Sequence, residues 1–198
     1  MKLFFMDTET TGLTKGFHEI HQLSLIIQML GVETKKYDIK IRPLHPEQCD
    51  LEALKIADKS IEEISSYTEG KVQFSRLCNL LDSSIDKYNK ADKFAIVGYN
   101  VGFDKDFLRE WFIANNHQYF GSYFFHYVFD VYSFVSAAFL AGNLPGIVNL
   151  KLSTVAEYFK IHINAHDAMS DIEATYELFQ KFVKPYLDLL HNTDMGEL

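Results

Sequence analysis

Cysteine is scarce in this chain. Cys49 and Cys78 are the only two in 198 residues. They lie far apart with no C-x-x-C spacing, which excludes a disulfide framework and a cysteine zinc site and fits a reducing compartment. Positive charge is also in short supply: 19 Lys and Arg face 27 Asp and Glu, for a net charge of −8. Bulk positive charge therefore does not hold this chain on nucleic acid. The deficit still leaves a nuclease open, because clustered carboxylates bind divalent cations, which invert the local sign. No apolar run approaches the ~20 residues of a membrane span. The opening apolar stretch, Met1–Met6, is too short for a signal-peptide core and is followed by Asp7. A cytoplasmic protein without a membrane segment is the expectation. Repeats, Gly/Ser linkers and charge blocks are missing too, which leaves one domain. What is present is apolar: 47% of residues are hydrophobic and 15% aromatic. That composition excludes disorder for most of the chain and supplies a sizeable core.

The patterning alternates between two periods. Residues 2–6 form a short apolar run ending at Asp7, a buried central strand, and residues 20–30 read as a second strand. Residues 34–42 place Tyr37, Ile39 and Ile41 on one face and Lys36, Asp38, Lys40 and Arg42 on the other. That is a half-buried strand, its lysines marking a protected sheet edge rather than a nucleic-acid patch. Ser60-Ile61-Glu62-Glu63 is a capping box that opens a helix. Helical periods follow over 72–88, 104–114, 152–160 and 168–183, and Pro185 ends or kinks the last. Strands are expected over 94–99 and 123–130, the latter followed by a helix through Phe134–Leu140. The order predicts an α/β sheet with helices packed on it.

Three segments carry chemistry. In Asp7-Thr8-Glu9-Thr10-Thr11-Gly12-Leu13, residues two apart on an extended backbone share a side, so Asp7 and Glu9 present paired carboxylates. Such a pair repels itself unless a cation intervenes, and hard oxygen donors suit Mg²⁺ or Mn²⁺. Gly12 allows a sharp turn and a close approach to a ligand. The second segment, Asn100-Val101-Gly102-Phe103-Asp104-Lys105-Asp106-Phe107-Leu108, opens a helix. Taken alone, Asp104 reads as an acid favoured at a helix N-terminus, with Phe103, Phe107 and Leu108 as core. The third, His166-Asp167-Ala168-Met169-Ser170-Asp171, sets a histidine on a loop before a helix whose first turns carry Asp171. Alone it reads as a cap.

Together, and in this order, the three segments resemble the motifs of the DEDDh family of 3′–5′ exonucleases, which includes the proofreading epsilon subunit of bacterial DNA polymerase III. The segment Asn149–Ile161 also looks like the stretch before the family's third motif. The resemblance spans roughly residues 1–182. It implies a ribonuclease H-like fold, a five-stranded mixed β-sheet flanked by α-helices. It places an exonuclease domain over 1–183 and leaves 184–198 as a short tail or terminal helix. Asp7, Glu9, Asp104 and Asp171 match the family's metal-associated acids, and His166 its general base. The implied chemistry is two-metal phosphodiester hydrolysis with two Mg²⁺ or Mn²⁺ ions. Thr8, Thr10, Thr11, Leu13, Asn100 and Phe103 match positions near the substrate. One departure stands out: Asp58 occupies a position where many relatives carry glycine.

The remaining conspicuous residues read as structural. His18 and His21 are three apart, not the four of a zincin helix. Asp130 is a helix N-cap, and the aromatic stretch 119–134 is core rather than a base-stacking surface. The expected function is removal of nucleotides from the 3′ end of single-stranded or frayed DNA, giving nucleoside 5′-monophosphates in proofreading or repair. RNA 3′-end trimming is the alternative, and a non-catalytic subunit of a replication complex ranks below both. The expected partners are a single-stranded 3′ end and, by the resemblance, a DNA polymerase subunit.

Overall fold

Alternation along the first strand, β1 (Lys2–Thr10), sorts the molecule into two layers. The computed structural model describes residues 2–29, 32–164 and 167–187. Phe4 and Met6 face one core and Leu3 and Phe5 the other. β2 (Ile20–Met29) pairs antiparallel with β1, and β3 (Lys35–Lys40) antiparallel with β2. On the other side, β4 (Phe94–Gly98) and β5 (Phe124–Asp130) add in parallel. The result is a mixed five-stranded sheet of order β3-β2-β1-β4-β5. The expected central position of β1 and the expected edge position of the lysine-bearing strand both hold.

Helices cover both faces. α1 (Leu51–Ile56) and α2 (Ile61–Ser65) are short. In the predicted capping box, the Ser60 hydroxyl accepts from the Glu63 N–H. α3 (Gly70–Ser84) and α4 (Gly102–Ala114) bring Phe74, Leu77, Leu81, Phe107, Leu108 and Phe112 onto the first core. A single turn, α5 (Phe120–Tyr123), precedes β5 and was not foreseen. α6 (Val131–Leu140), α7 (Leu152–Tyr158) and α8 (Ala168–Phe182) cover the second core through Val131, Val135, Val155, Ile172, Leu178 and Phe179. α8 ends at Phe182, and a further helical turn over 184–187 carries Pro185 in its first positions, where proline fits. Among the described residues, no helix is long and apolar enough to cross a membrane.

Two expectations need correction. β1 does not stop at Asp7 but continues through Asp7, Thr8, Glu9 and Thr10. Asp7 and Glu9 pair with Ser24 and Gln22 of β2, and Thr8 and Thr10 with Leu23 and Ile20, so these polar residues stay in the ladder although the apolar run has ended. The stretch 119–134 is not uniformly core. Tyr123 and Phe124 are buried, whereas Tyr119 before α5, Tyr127 on the edge strand β5 and Tyr132 in α6 are exposed.

Candidate active site

Asp7 and Glu9 extend the row Leu3–Phe5 on the face covered by α8. α8 packs against β1. Asp167 is its N-cap, its carboxylate accepting from the Met169 N–H, and Asp171 lies in the first turn. One carboxylate oxygen each from Asp7, Glu9 and Asp171 falls within a group no wider than 4.8 Å. The sequence spacing brought Asp7 and Glu9 together; the packing of α8 on β1 brings in Asp171.

Asp104 arrives from the opposite layer. It sits in the first turn of α4 and is 6% exposed. Its Oδ1 accepts from the Thr8 N–H at 2.9 Å and from the Thr8 hydroxyl at 2.7 Å. Thr8 points to the α4 side of the strand, between two carboxylates that point to the α8 side. Asp104 is thereby clamped beside the cluster without joining the group of three. The loop before α4 needs a close approach. A Cβ on Gly98 would lie 2.6 Å from the Val101 side chain and 2.9 Å from the Met6 carbonyl oxygen. Asp130 fixes the same corner, accepting from the Asn100 and Tyr132 N–H groups and capping α6 as expected.

The electrostatics at Asp7, Glu9 and Asp104 are dominated by burial and by neighbouring acids. Burial, then repulsion from Asp104, Asp171 and Glu9, raises the Asp7 carboxyl well above its ordinary range. Burial and then Asp171 and Asp104 push Glu9 up to about 7, while Lys40 pulls it down. Burial lifts Asp104 to about 6 against the opposing hydrogen bonds from Thr8. An all-oxygen donor set with this appetite for positive charge fits a hard divalent cation.

Other expected residues fall into place unevenly. His166 lies outside the described residues. The Thr10 hydroxyl donates to the Gly12 carbonyl, and the Thr11 hydroxyl accepts from the Glu19 N–H. Thr8, Thr10 and Thr11 are all buried; the hydroxyls of Thr10 and Thr11 shape the loop, and that of Thr8 holds Asp104. Leu13 is 78% exposed at its tip. Asn100 is exposed at φ 58°, and Phe103 is half-buried against Phe107. Gly12 makes room for a side chain of the chain itself rather than for a ligand: a Cβ there would meet the His18 ring at 2.5 Å. Asp58 stands at φ 52°, a left-handed conformation that suits glycine and that aspartate tolerates. His21 is fully buried and belongs to no metal-ligand group among the described residues; burial, with help from Lys40 and Lys59, pushes its imidazole down to about 4.

Reading the sequence missed the support for this site. Thr8 holds Asp104, and Gln22 and Ser24 of β2 both donate to Asp38 of β3. The only available signal was the register between strands, which a single sequence does not print. Replacing Thr8 by Val should test the clamp. The Asp104 carboxylate keeps the backbone donor and loses the hydroxyl. With divalent metal present, kcat should fall roughly 10- to 100-fold, as for other groups that orient ligands. The fold should lose about 2 kcal/mol, or roughly 4–8 °C in Tm. Steady-state kinetics with a thermal melt checks both; unchanged kcat would remove the clamp from the account.

No curated protein matches the chain. Among solved structures, exonuclease I superposes with a TM-score of 0.75 at 20% identity, covering 96% of this chain and 43% of that one. E. coli exonuclease I in complex with a dT13 oligonucleotide gives 0.75 at 19%, again with 96% and 43% covered. A zinc-bound complex of E. coli exonuclease I with single-stranded DNA gives 0.74 at 20%, with 96% and 42% covered. The chain thus shares the ribonuclease H-like fold of these proteins and spans under half of their length. An exonuclease family model, RNase T, matches residues 4–179, which include Asp7, Glu9, Asp104 and Asp171. By that match the chain belongs to the exonuclease family.

Proposed function

We propose that this chain is a DEDDh-type 3′–5′ exonuclease that uses divalent metal. It would remove nucleoside 5′-monophosphates from the 3′ end of single-stranded or frayed DNA, in proofreading or repair. One observation carries the reading: in a member of the exonuclease family, Asp7, Glu9 and Asp171 converge within 4.8 Å while Thr8 clamps Asp104 beside them. Single-stranded DNA is favoured as substrate because structural neighbours of the same fold are complexes with it.

Asp7, Glu9 and Asp171 would hold the cation, with Asp104 completing the charge around it. Mg²⁺ or Mn²⁺ bound there would supply Lewis acidity toward the phosphate and the attacking water. The chain's own contribution is placement. Strand β1 fixes Asp7 and Glu9 on a rigid ladder, and α8 carries Asp171 on its first turn. Thr8 keeps Asp104 from rotating away. Leu13, exposed at the tip of the loop after β1, would offer an apolar surface to the terminal base, and Asn100 and Phe103, at the entry to α4, would contact the same nucleotide. His166, which precedes the α8 segment in the sequence, would take the proton of the attacking water; an imidazole suits that role near neutral pH. Residues 1–183 would form the catalytic domain. Part of the tail closes against it, since Leu187 packs on the second core.

The test is a gel assay on 5′-labelled single-stranded DNA, mispaired-end duplex and RNA with Mg²⁺ or Mn²⁺. A ladder shortening from the 3′ end, lost in EDTA, is the expected result. Faster loss of RNA than DNA would reassign the substrate. No cleavage by folded protein with either metal would overturn the enzyme reading.

A further inference from the structure

A second cleft opens beside the carboxylates. It encloses about 220 Å³ between Gln22, Lys40, Asp58, Lys59, Asn164 and Asp167. The sheet register explains its position. Glu9 of β1 pairs with Gln22 of β2, and Gln22 with Lys40 of β3. Residues paired in this way point to the same face, so Glu9, Gln22 and Lys40 form one row on the α8 side. Two inter-strand steps put the Lys40 backbone roughly 10 Å from that of Glu9. The Lys40 charge is still felt at Glu9. Lys59 enters from the opposite wall, and both lysines act on the same buried His21. The α8 end of the cleft is tied to the row by Gln22, whose amide reaches the Asp167 carboxylate at 3.5 Å.

We propose that this cleft is a phosphate subsite in which Lys40 and Lys59 hold a second phosphate of the strand whose 3′ end lies on the carboxylates. The proposal rests on the exonuclease reading and deepens it. Three observations favour phosphate over another group. First, the cleft brings two ammonium groups and two side-chain amides together in a chain whose net charge is −8. Phosphate is the part of a nucleic acid that lysine pairs with. Second, the lysines are held but not consumed. Lys40 lies 3.4 Å from Asp38, and Lys59 lies 2.9 Å from Glu63. Pairs this exposed contribute about 0–1 kcal/mol and release readily to a better anion. Asp38 is itself anchored by Gln22 and Ser24, so its contact with Lys40 has a fixed partner on the same face of β3. Third, a polyanion crossing the carboxylates needs counter-charge beside the cleaved bond, and the row supplies it two strands away, at Lys40. The two acids in the wall differ in role. Asp167 is committed to its cap and to Gln22. Asp58 opposes an anion, so its removal should act with the opposite sign to removal of a lysine.

The experiment measures KM and kcat across salt concentrations for the wild type, Lys59→Gln, Lys40→Gln and Asp58→Asn. The substrates are unmodified DNA strands, strands with one uncharged methylphosphonate linkage moved stepwise from the 3′ end, and strands ending in a 3′-phosphate. Cleavage of the unmodified strand by the wild type tests the exonuclease reading by itself. If the subsite exists, Lys59→Gln raises KM about tenfold, with the loss in KM rather than kcat. The salt slope should flatten by about 0.7. One neutral linkage should penalise the wild type but not Lys59→Gln, and Asp58→Asn should lower KM. If only the 3′-phosphate strand responds to Lys59, the phosphate held is the terminal one; if a neutral linkage responds, it is an internal one. Equal penalties in wild type and Lys59→Gln at every linkage, with no response to the 3′-phosphate, would overturn the subsite while leaving the exonuclease in place.

Discussion

Asp7→Asn should silence the enzyme and, without metal, stabilise it. Burial and the neighbouring acids raise the Asp7 carboxyl well above the ordinary carboxylate range. The substitution keeps the shape and removes a charge that the metal-free protein accommodates poorly. Cleavage should drop by at least about 10³-fold, as when a group that organises transition-state charge is lost. At pH 8 without divalent ions, Tm should rise by several degrees, because a costly anion has gone. Gel kinetics and thermal melts on the same preparation check the pair. Activity within tenfold of wild type would show that Asp7 is not at the reacting centre. A lower Tm in EDTA would show that its charge is already compensated within the fold.

The second large effect is a reversal of pH dependence by metal. Glu9 moves from 4.5 in the unfolded chain to about 7, and Asp104 from 3.8 to about 6. Groups raised in this way bind more protons when folded. Their favourable contribution is complete below the unfolded value and is lost as pH climbs through the folded one. For Glu9 alone the loss between about pH 4.5 and 7 is about 3 kcal/mol. His21 works the other way. Its folded value of about 4 lies below 6.5, so it destabilises the fold as pH falls from 6.5 towards 4. Metal-free protein should therefore lose Tm from pH 5 to 8. With millimolar Mg²⁺ or Mn²⁺ the cation replaces the proton as counter-charge, the carboxylate slope vanishes, and Tm should rise with pH up to about 6.5. Melts at pH 4.5–8 with and without metal decide it; parallel curves would sink the idea.

How much of this was legible in the sequence depended on where the signal lay. Strand and helix periods located each long element, since burial against a sheet leaves a pattern of two or 3.6. The end of β1 was misplaced because the pattern follows hydrophobicity, whereas the ladder through Thr10 follows hydrogen bonding to β2. The turn α5 is too short to show a period. Asp7, Glu9, Asp104 and Asp171 were found through three motifs together, and Asp104 fits its weaker reading as well, being an acid in the first turn of α4. Invisible in the sequence were the partners set by register: Thr8 against Asp104, and the row from Glu9 through Gln22 to Lys40. The lysine-bearing face of β3 read as solvated, and it is exposed in part. It also borders the candidate site, with Lys36 paired to Glu173 of α8 at 2.8 Å.

The site draws on both faces of one sheet, with acids from positions 7 and 9, from α4, and from the first turn of α8. This has a bearing on synthesis. While the ribosome has released only the segment through β5, the chain possesses its central strands and Asp104 but no Asp171. The cluster closes only when α8 docks on β1, a contact between the two ends of the described chain. The carboxylate group is therefore complete only after α8 has docked, and recovery of metal-dependent cleavage after dilution from denaturant should time the docking of α8.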